Sequence, residues 1–245
     1  MKAEFTILFE DDCLIAVDKP SGELSVPGRT IKDSTFTRVK DYYPEAREIH
    51  RLDMGTSGVL LFAKNKASQS ALHRQFEQRK VHKCYLAVCF GTPQHEQGLI
   101  SLPLLCDWPN RPKQKVEWFG GKAAQTHYQL HALPRQACSS ISELDESLCE
   151  KALTSCQEFY DICLAILFPK TGRSHQLRVH LDALGHSILG DELYGSELSQ
   201  NAAKRLMLHA ASLTFLHPQT SQSIQIHADS TFGELAKKIT GRALP

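Results

Sequence analysis

The sequence predicts an α+β fold: a mainly antiparallel, mixed sheet with flanking helices and loops. Three observations support this. Strand-like segments are numerous, units that alternate one strand with one helix are few, and the loops between them are long. The chain's 245 residues suffice to bury a substantial core, and 42% hydrophobic with 22% charged residues is an ordinary globular balance. No apolar run approaches the length of a membrane span, and the first five residues lead into a strand-like segment without a signal-peptide layout. With no internal repeat and no dividing linker, residues 1–245 are expected to form a single domain.

Thr6 to Phe9 and Cys13 to Val17 form a strand pair around the turn Glu10-Asp11-Asp12. Breakers follow at Asp18-Lys19-Pro20-Ser21-Gly22 and Val26-Pro27-Gly28-Arg29, then a short helix over 34–42. Val59 to Ala63 is apolar throughout and reads as a buried strand. Residues 67–80 place Ala67, Ala71, Leu72 and Phe76 on one helical face, with Gln, His and Arg on the other. Cys84 to Phe90 is a strand, 101–118 a proline-punctuated loop with Arg111, Lys113 and Lys115, and Tyr128 to Leu133 another strand. Residues 134–160 change character: serines mingle with Glu143, Asp145, Glu146 and Glu150, which reads as an acidic surface insertion with a helix near 143–155. Ile162 to Phe168 returns to the core. Ser174 is positioned to cap a helix from His175 to Leu184, stopped by Gly185. A helix near 199–207, strands at Ser212 to Phe215 and Ser223 to Ile226, and a short C-terminal helix complete the chain.

The net charge of +1 is lower than that of many nucleic-acid binders, although a near-neutral total can conceal a basic face. The eight cysteines include no Cys-x-x-Cys pair and read as reduced thiols, mostly small core residues, of a cytoplasmic protein. Dinucleotide glycine fingerprint, phosphate loop and clustered metal ligands are all missing, so neither cofactor nor metal is expected.

Three segments carry candidate chemistry. In His50-Arg51-Leu52-Asp53-Met54-Gly55-Thr56-Ser57-Gly58 a lone aspartate follows a basic pair and precedes a small-residue turn and the buried strand. Loops fixed by rigid elements are where catalytic groups usually sit. With no second carboxylate nearby in sequence, Asp53 suits nucleophilic work better than a shared acid–base role. In Gly172-Arg173-Ser174-His175-Gln176-Leu177-Arg178, Arg178 either pairs with Asp182 on the helix surface or turns towards the aspartate. In Lys83-Cys84-Tyr85-Leu86-Ala87, Tyr85 is either a core tyrosine or a face for an extruded base; the basic residues from His73 to Lys83 form a solvated face, a phosphate contact or both.

All three segments, and the breakers at 18–29, resemble the motifs of the RluA-type pseudouridine synthases, and the resemblance extends from about residue 6 to 228, interrupted at 134–160. The loop from Leu102 to Lys115 looks most like a member acting on both ribosomal and transfer RNA. The resemblance implies the pseudouridine synthase catalytic fold and an isomerase that turns specific uridines of RNA stem-loops into pseudouridine without a cofactor. It implies Asp53 as the catalytic carboxylate, Arg178 as its cationic partner and Tyr85 as the group stacked on the uracil. It also implies RNA contacts from Arg51, Lys83 and Arg173, with Arg51 filling the gap left by the flipped base. The expected partner is structured RNA, met by a monomer with no membrane association, and no separate N-terminal RNA-binding module is expected. The shorter connection that family members make across 134–160 is the main departure. Two other classes remain open: a nucleoside hydrolase using Asp53 with a second acid, and a non-catalytic RNA-binding protein of the same fold.

Overall fold

The computed structural model describes residues 5–134, 137, 141–145 and 161–241. In chain order these residues form strands β1 (Thr6–Glu10) and β2 (Leu14–Lys19), helix α1 (Thr35–Tyr42), strands β3 (Arg47–Glu48) and β4 (Ser57–Ala63), and helix α2 (Lys66–Glu77). Strands β5 (His82–Phe90), β6 (Gln97–Ser101), β7 (Leu104–Cys106), β8 (Gln114–Val116), β9 (Gln125–Ala132) and β10 (Ile162–Pro169) follow. Helices α3 (Gln176–Ala183) and α4 (Glu197–Asn201), strands β11 (Leu208–Leu216) and β12 (Ser223–His227), and helix α5 (Thr231–Thr240) complete the fold. The chain divides into two compact units, Met1–Lys83 with His209–Asp229 and Cys84–Leu208 with Ser230–Pro245.

In the first unit the strands run in the order β1-β2-β4-β11, with β12 beside β11 and β3 beside β4. β4 is antiparallel to β2 and parallel to β11. Every residue of β4 is buried, as a strand covered on both faces requires. Val59, Leu61 and Ala63 pack with Leu14, Ala16, Leu72, Leu213 and Phe215 into one core, while Phe62 stacks on Phe36 of α1. The parallel pairing explains the Ser57-Gly58 pair of the aspartate motif. Opposite Ala210, Gly58 has φ +108°, and a Cβ there would sit 2.3 Å from the Ala210 carbonyl oxygen. Only glycine fits both the angle and the approach. Ser57 Oγ meets His209 Nδ1 at 2.9 Å, and the other ring nitrogen of His209 reaches the Ala228 carbonyl.

In the second unit the order is β5-β10-β9-β6, antiparallel throughout. Apolar residues fill the middle of β5 and nearly all of β10. The segment 101–118, expected as a loop, instead contains the antiparallel pair β7–β8 around a short 3₁₀ turn at Trp108–Asn110. Leu104 and Val116 of this pair pack against Val179 of α3 and Tyr194, and this tertiary burial makes strands out of segments too short and proline-broken to read as such.

The expected cap at Ser174 is also revised. α3 starts one residue later, after His175 in the left-handed conformation with no side-chain cap, and the Gln176 side chain ties the turn by accepting from the Arg173 backbone N–H at 3.0 Å. The helix expected near 199–207 is only the five residues of α4, because Ala203 and Met207 are drawn into backbone pairing with Leu144 and Leu189. Within 134–160, Ile141 and Leu144 are buried and Glu143 pairs with Arg205 at 3.1 Å, so 141–145 is anchored to the second unit. Most of the expected 143–155 helix lies outside the described residues. Among the described residues no helix is long and apolar enough to cross a membrane.

Candidate active site

Asp53 belongs to the first unit, on the loop that delivers the chain into β4. Its carbonyl accepts from the Thr56 N–H at 3.0 Å, which closes a turn around Met54-Gly55. The breaker segment 20–25 clamps this turn. Ser25 Oγ donates to the Leu52 carbonyl at 2.8 Å and accepts from the Leu52 N–H at 2.9 Å, Ser21 Oγ donates to the Gly55 carbonyl at 2.6 Å, and the Gly22 N–H donates to the Met54 carbonyl at 2.9 Å. Leu52 is buried, Asp53 half-buried, and Arg51 and Met54 exposed. The alternation fixes the carboxylate at the rim of a core while Arg51 faces solvent.

Beneath the loop lies a cation that sequence reasoning passed over. Lys19, at the end of β2, is fully buried, and its ammonium donates to the carbonyls of Pro20, Glu23 and Met54 at 2.8, 2.8 and 3.1 Å. Burial draws its pKa down to about 8, against the opposing pull of Glu23, Asp53 and Asp18. One buried charge thus holds both breaker loop and aspartate loop and lies within electrostatic reach of Asp53. The available signal was the Lys-Pro-Ser-Gly breaker itself, where a lysine ending an apolar strand stands directly before a tight turn.

His50 is structural. Its Nε2 accepts from the Leu61 N–H at 3.1 Å, its ring stacks on Phe76, and burial holds its pKa down to about 3, so the ring is neutral. Lys83 stands close enough to add to that depression, and burial lowers its own pKa to about 8. The solvated basic face upstream consists of Arg74, Arg79, Lys80 and His82, all exposed.

Tyr85, Arg173 and Arg178 belong to the second unit. Arg178, in the first turn of α3, is buried and makes a bidentate ion pair with Asp191: Nε to Oδ2 at 2.8 Å and one terminal nitrogen to Oδ1 at 2.6 Å. Asp191 Oδ1 also accepts from the backbone N–H groups of Leu193 and Tyr194. Asp182, four residues on from Arg178, accepts from the Ser187 hydroxyl at 2.6 Å. Gly190, before Asp191, has φ +71°, and a Cβ there would lie 1.9 Å from the Arg205 carbonyl oxygen. Asp191 is therefore the second residue missed by sequence reasoning, its signal being the Gly190-Asp191 pair.

The rest of the arginine motif assembles this scaffold. Gln176 donates to the Gln125 carbonyl and Thr126 Oγ1 and accepts from Thr171 Oγ1. His175 Nδ1 lies 2.9 Å from the Tyr194 hydroxyl, which accepts from the Gln114 N–H. His180 bridges Thr126 Oγ1 and the Leu102 carbonyl. Arg173 is exposed, with Nε donating to the Ala123 carbonyl at 3.2 Å. Tyr85, half-buried on β5, pairs across the ladder with Leu167 of β10.

One cluster among the described residues has metal-like composition: Asp11, Cys13 and His217 in the first unit. His217 Nδ1 accepts from the backbone N–H groups of Gln219 and Thr220, so Nε2 carries the proton and donates it to Asp11 Oδ2 at 2.9 Å. A metal on Nε2 would need that tautomer reversed and both amides orphaned. The cluster fits a turn clamp better than a metal site. The described cysteines are free, and four of the five are buried.

A family model described as RNA pseudouridylate synthase matches residues 13–183. The chain is 45% identical over 228 residues, 92% of its own length and 93% of the relative's, to the dual-specificity RNA pseudouridine synthase RluA of Escherichia coli strain K12. It is 46% identical over 216 residues, 87% of its length and 78% of the relative's, to the protein of the same name in Vibrio vulnificus. Two solved human structures share the fold: RNA pseudouridylate synthase domain containing 1, with TM-score 0.72, 24% identity and coverage of 99% of this chain and 97% of that one; and domain containing 4, with TM-score 0.67, 22% identity and coverage of 98% and 94%. On the family model and these relatives together, the chain belongs to the RNA pseudouridylate synthase family and is an isomerase of uridine in RNA.

Proposed function

We propose that this chain converts uridines in stem-loops of both ribosomal RNA and transfer RNA to pseudouridine, with Asp53 as the reacting carboxylate. The observation that carries this is the Asp53 turn, clamped at Leu52, Met54 and Gly55 from one side and underlain by the Lys19 ammonium. A nucleophilic carboxylate needs a fixed direction and an adjacent cation, and this loop supplies both. Two substrate classes follow from the relatives' description as dual-specificity synthases.

In the reaction the N1–C1′ bond breaks, C5 joins C1′, and a proton passes from C5 to the freed nitrogen. Nothing is oxidised or reduced, and neither cofactor nor metal is used. Asp53 holds the separated sugar or base while the uracil turns. Arg178, locked by Asp191, is the second cation assigned to Asp53. Tyr85 stacks on the uracil, Arg51 occupies the place the base leaves, and Lys83 and Arg173 contact the RNA backbone. The isomerase acts as a cytoplasmic monomer. Loop uridines are favoured because extrusion costs them least.

The test is incubation of the purified, chelator-treated protein with a ribosomal stem-loop series and an anticodon stem-loop series, read by pseudouridine mapping. Modified uridines in both RNA classes are expected. Modification of only one class contradicts dual specificity, and modification of neither contradicts the assignment.

A further inference from the structure

The first unit contains a second feature beside the aspartate loop. An open pocket of about 510 Å³ is lined by Val26, Pro27, Phe36, Lys40, Arg47 and Arg51, among others. Its volume lies in the range of small-molecule sites. Its charge is one-sided: the lining holds three cations, Lys40, Arg47 and Arg51, and one carboxylate, the exposed Glu48. One wall is apolar, with Phe36 held by stacking on the buried Phe62 and the Lys40 ammonium 5.7 Å from the Phe36 ring centre.

Arg47 supplies the second observation. Its Nε is buried and lacks a hydrogen-bond partner, a condition shared among the described residues only by His131 Nε2. Its nearest carboxylate, Glu45, is 3.7 Å from a terminal nitrogen and largely exposed. The Arg47 side chain as a whole is 38% exposed, so its guanidinium can still meet an anionic acceptor in the pocket. Arg51 joins the pocket to the active loop: it lines the cavity and stands two residues before Asp53, a Cα separation of at most about 7 Å.

We propose that this pocket is a subsite for a nucleotide of the RNA strand flanking the target uridine. Lys40 and Arg47 hold its phosphate, and Phe36, Val26 and Pro27 wall its sugar and base. The subsite rests on the RNA-modifying reading given above. It explains why an apolar wall and three cations are combined here, where a loose phosphate contact on a solvated face needs no such wall.

The experiment measures affinity for a stem-loop substrate as a function of salt, for wild type, Lys40→Gln/Arg47→Gln, Arg47→Glu, and a control pair, Lys237→Gln/Lys238→Gln, on the C-terminal helix. For the pocket pair, about a tenfold rise in Kd is expected at low salt. The slope of log K against log salt should become shallower by about 0.7 for each single-strand phosphate that is no longer neutralised. Arg47→Glu alone should weaken binding at least as much, which keeps the test open if the pair folds poorly. Equal losses in the control pair, or an unchanged slope in the pocket variants, overturn the subsite. Uridine 5′-monophosphate distinguishes the source of the anion: no competition with the stem-loop is expected at micromolar concentration, and tight binding lost in the pocket variants would assign the pocket to a free nucleotide instead. Pseudouridine is measured in the same tubes. Wild type that modifies the RNA while the pocket variants bind it normally overturns the subsite alone, and wild type that modifies no RNA overturns the reading beneath it.

Discussion

Each unit buries a cation, and the two are held in opposite ways. Lys19 in the first unit is held by three backbone carbonyls, whereas Arg178 in the second is gripped by both oxygens of Asp191. Carbonyl dipoles do not neutralise a buried ammonium, so the Lys19 pKa falls to about 8 and its charge becomes conditional. A guanidinium does not lose its proton in proteins, and a bidentate carboxylate fixes its plane as well as its charge. The first device ties two loops together and responds to pH. The second is a rigid, permanent charge.

The largest expected effect breaks the rigid device. Asp191→Asn keeps the shape of the partner but removes the counter-charge beside the buried Arg178, and should cost about 3 kcal/mol in urea unfolding. A loss below about 1 kcal/mol would show that Asp191 does not hold the arginine.

Next comes the titratable device. Lys19→Met takes the ammonium donor from the carbonyls of Pro20, Glu23 and Met54, of which Met54 keeps the Gly22 N–H, and the exchange of these bonds for an apolar chain should cost about 2 kcal/mol at pH 7. With a folded pKa of about 8 and an unfolded one near 10.5, Lys19 keeps its proton longer in the unfolded chain. Its contribution to stability therefore rises with pH between those values, and the buried charge disfavours folding below about pH 8. Activity should move the other way, falling above about pH 8 as the cation near Asp53 is lost. Lys83 shares the stability trend through its own lowered pKa. If Lys19→Met keeps the wild-type alkaline limb of activity, Lys19 is not the titrating support.

Ser25→Ala is the smaller, local version of the same test. It deletes the reciprocal bonds to the Leu52 N–H and carbonyl and should cost about 1–2 kcal/mol. Its effect should appear in kcat more than in RNA affinity, because the turn that aims Asp53 loosens while Arg51 is untouched. A variant with weakened RNA binding and normal kcat would place Ser25 in substrate binding instead.

The same contrast explains what could be read from the sequence. β4 and β10 were legible because a strand buried on both faces is apolar at nearly every position. Asp53, Tyr85 and Arg178 were singled out by the motifs around them, in which Gly58 and Gln176 have visible structural reasons. What escaped depends on partners distant in sequence. Lys19 became a buried cation only when Met54 came to it across 35 positions, and Asp191 lies 13 residues from the arginine it holds. The β7–β8 pair escaped because its strands are three residues each and owe their order to Val179 and Tyr194. The cap at Ser174 failed because the Gln176 side chain tied the turn instead.

Single-turnover conversion of a bound stem-loop by Asp53→Asn tests the role of the carboxylate itself. The amide is nearly isosteric, so the clamp from Ser21 and Ser25, which uses only backbone groups of residues 52 and 55, remains available to it. The expected variant is a folded protein that binds the RNA with wild-type affinity and forms no detectable pseudouridine. Pseudouridine formed by the pure, folded variant at a rate within tenfold of wild type would contradict that role.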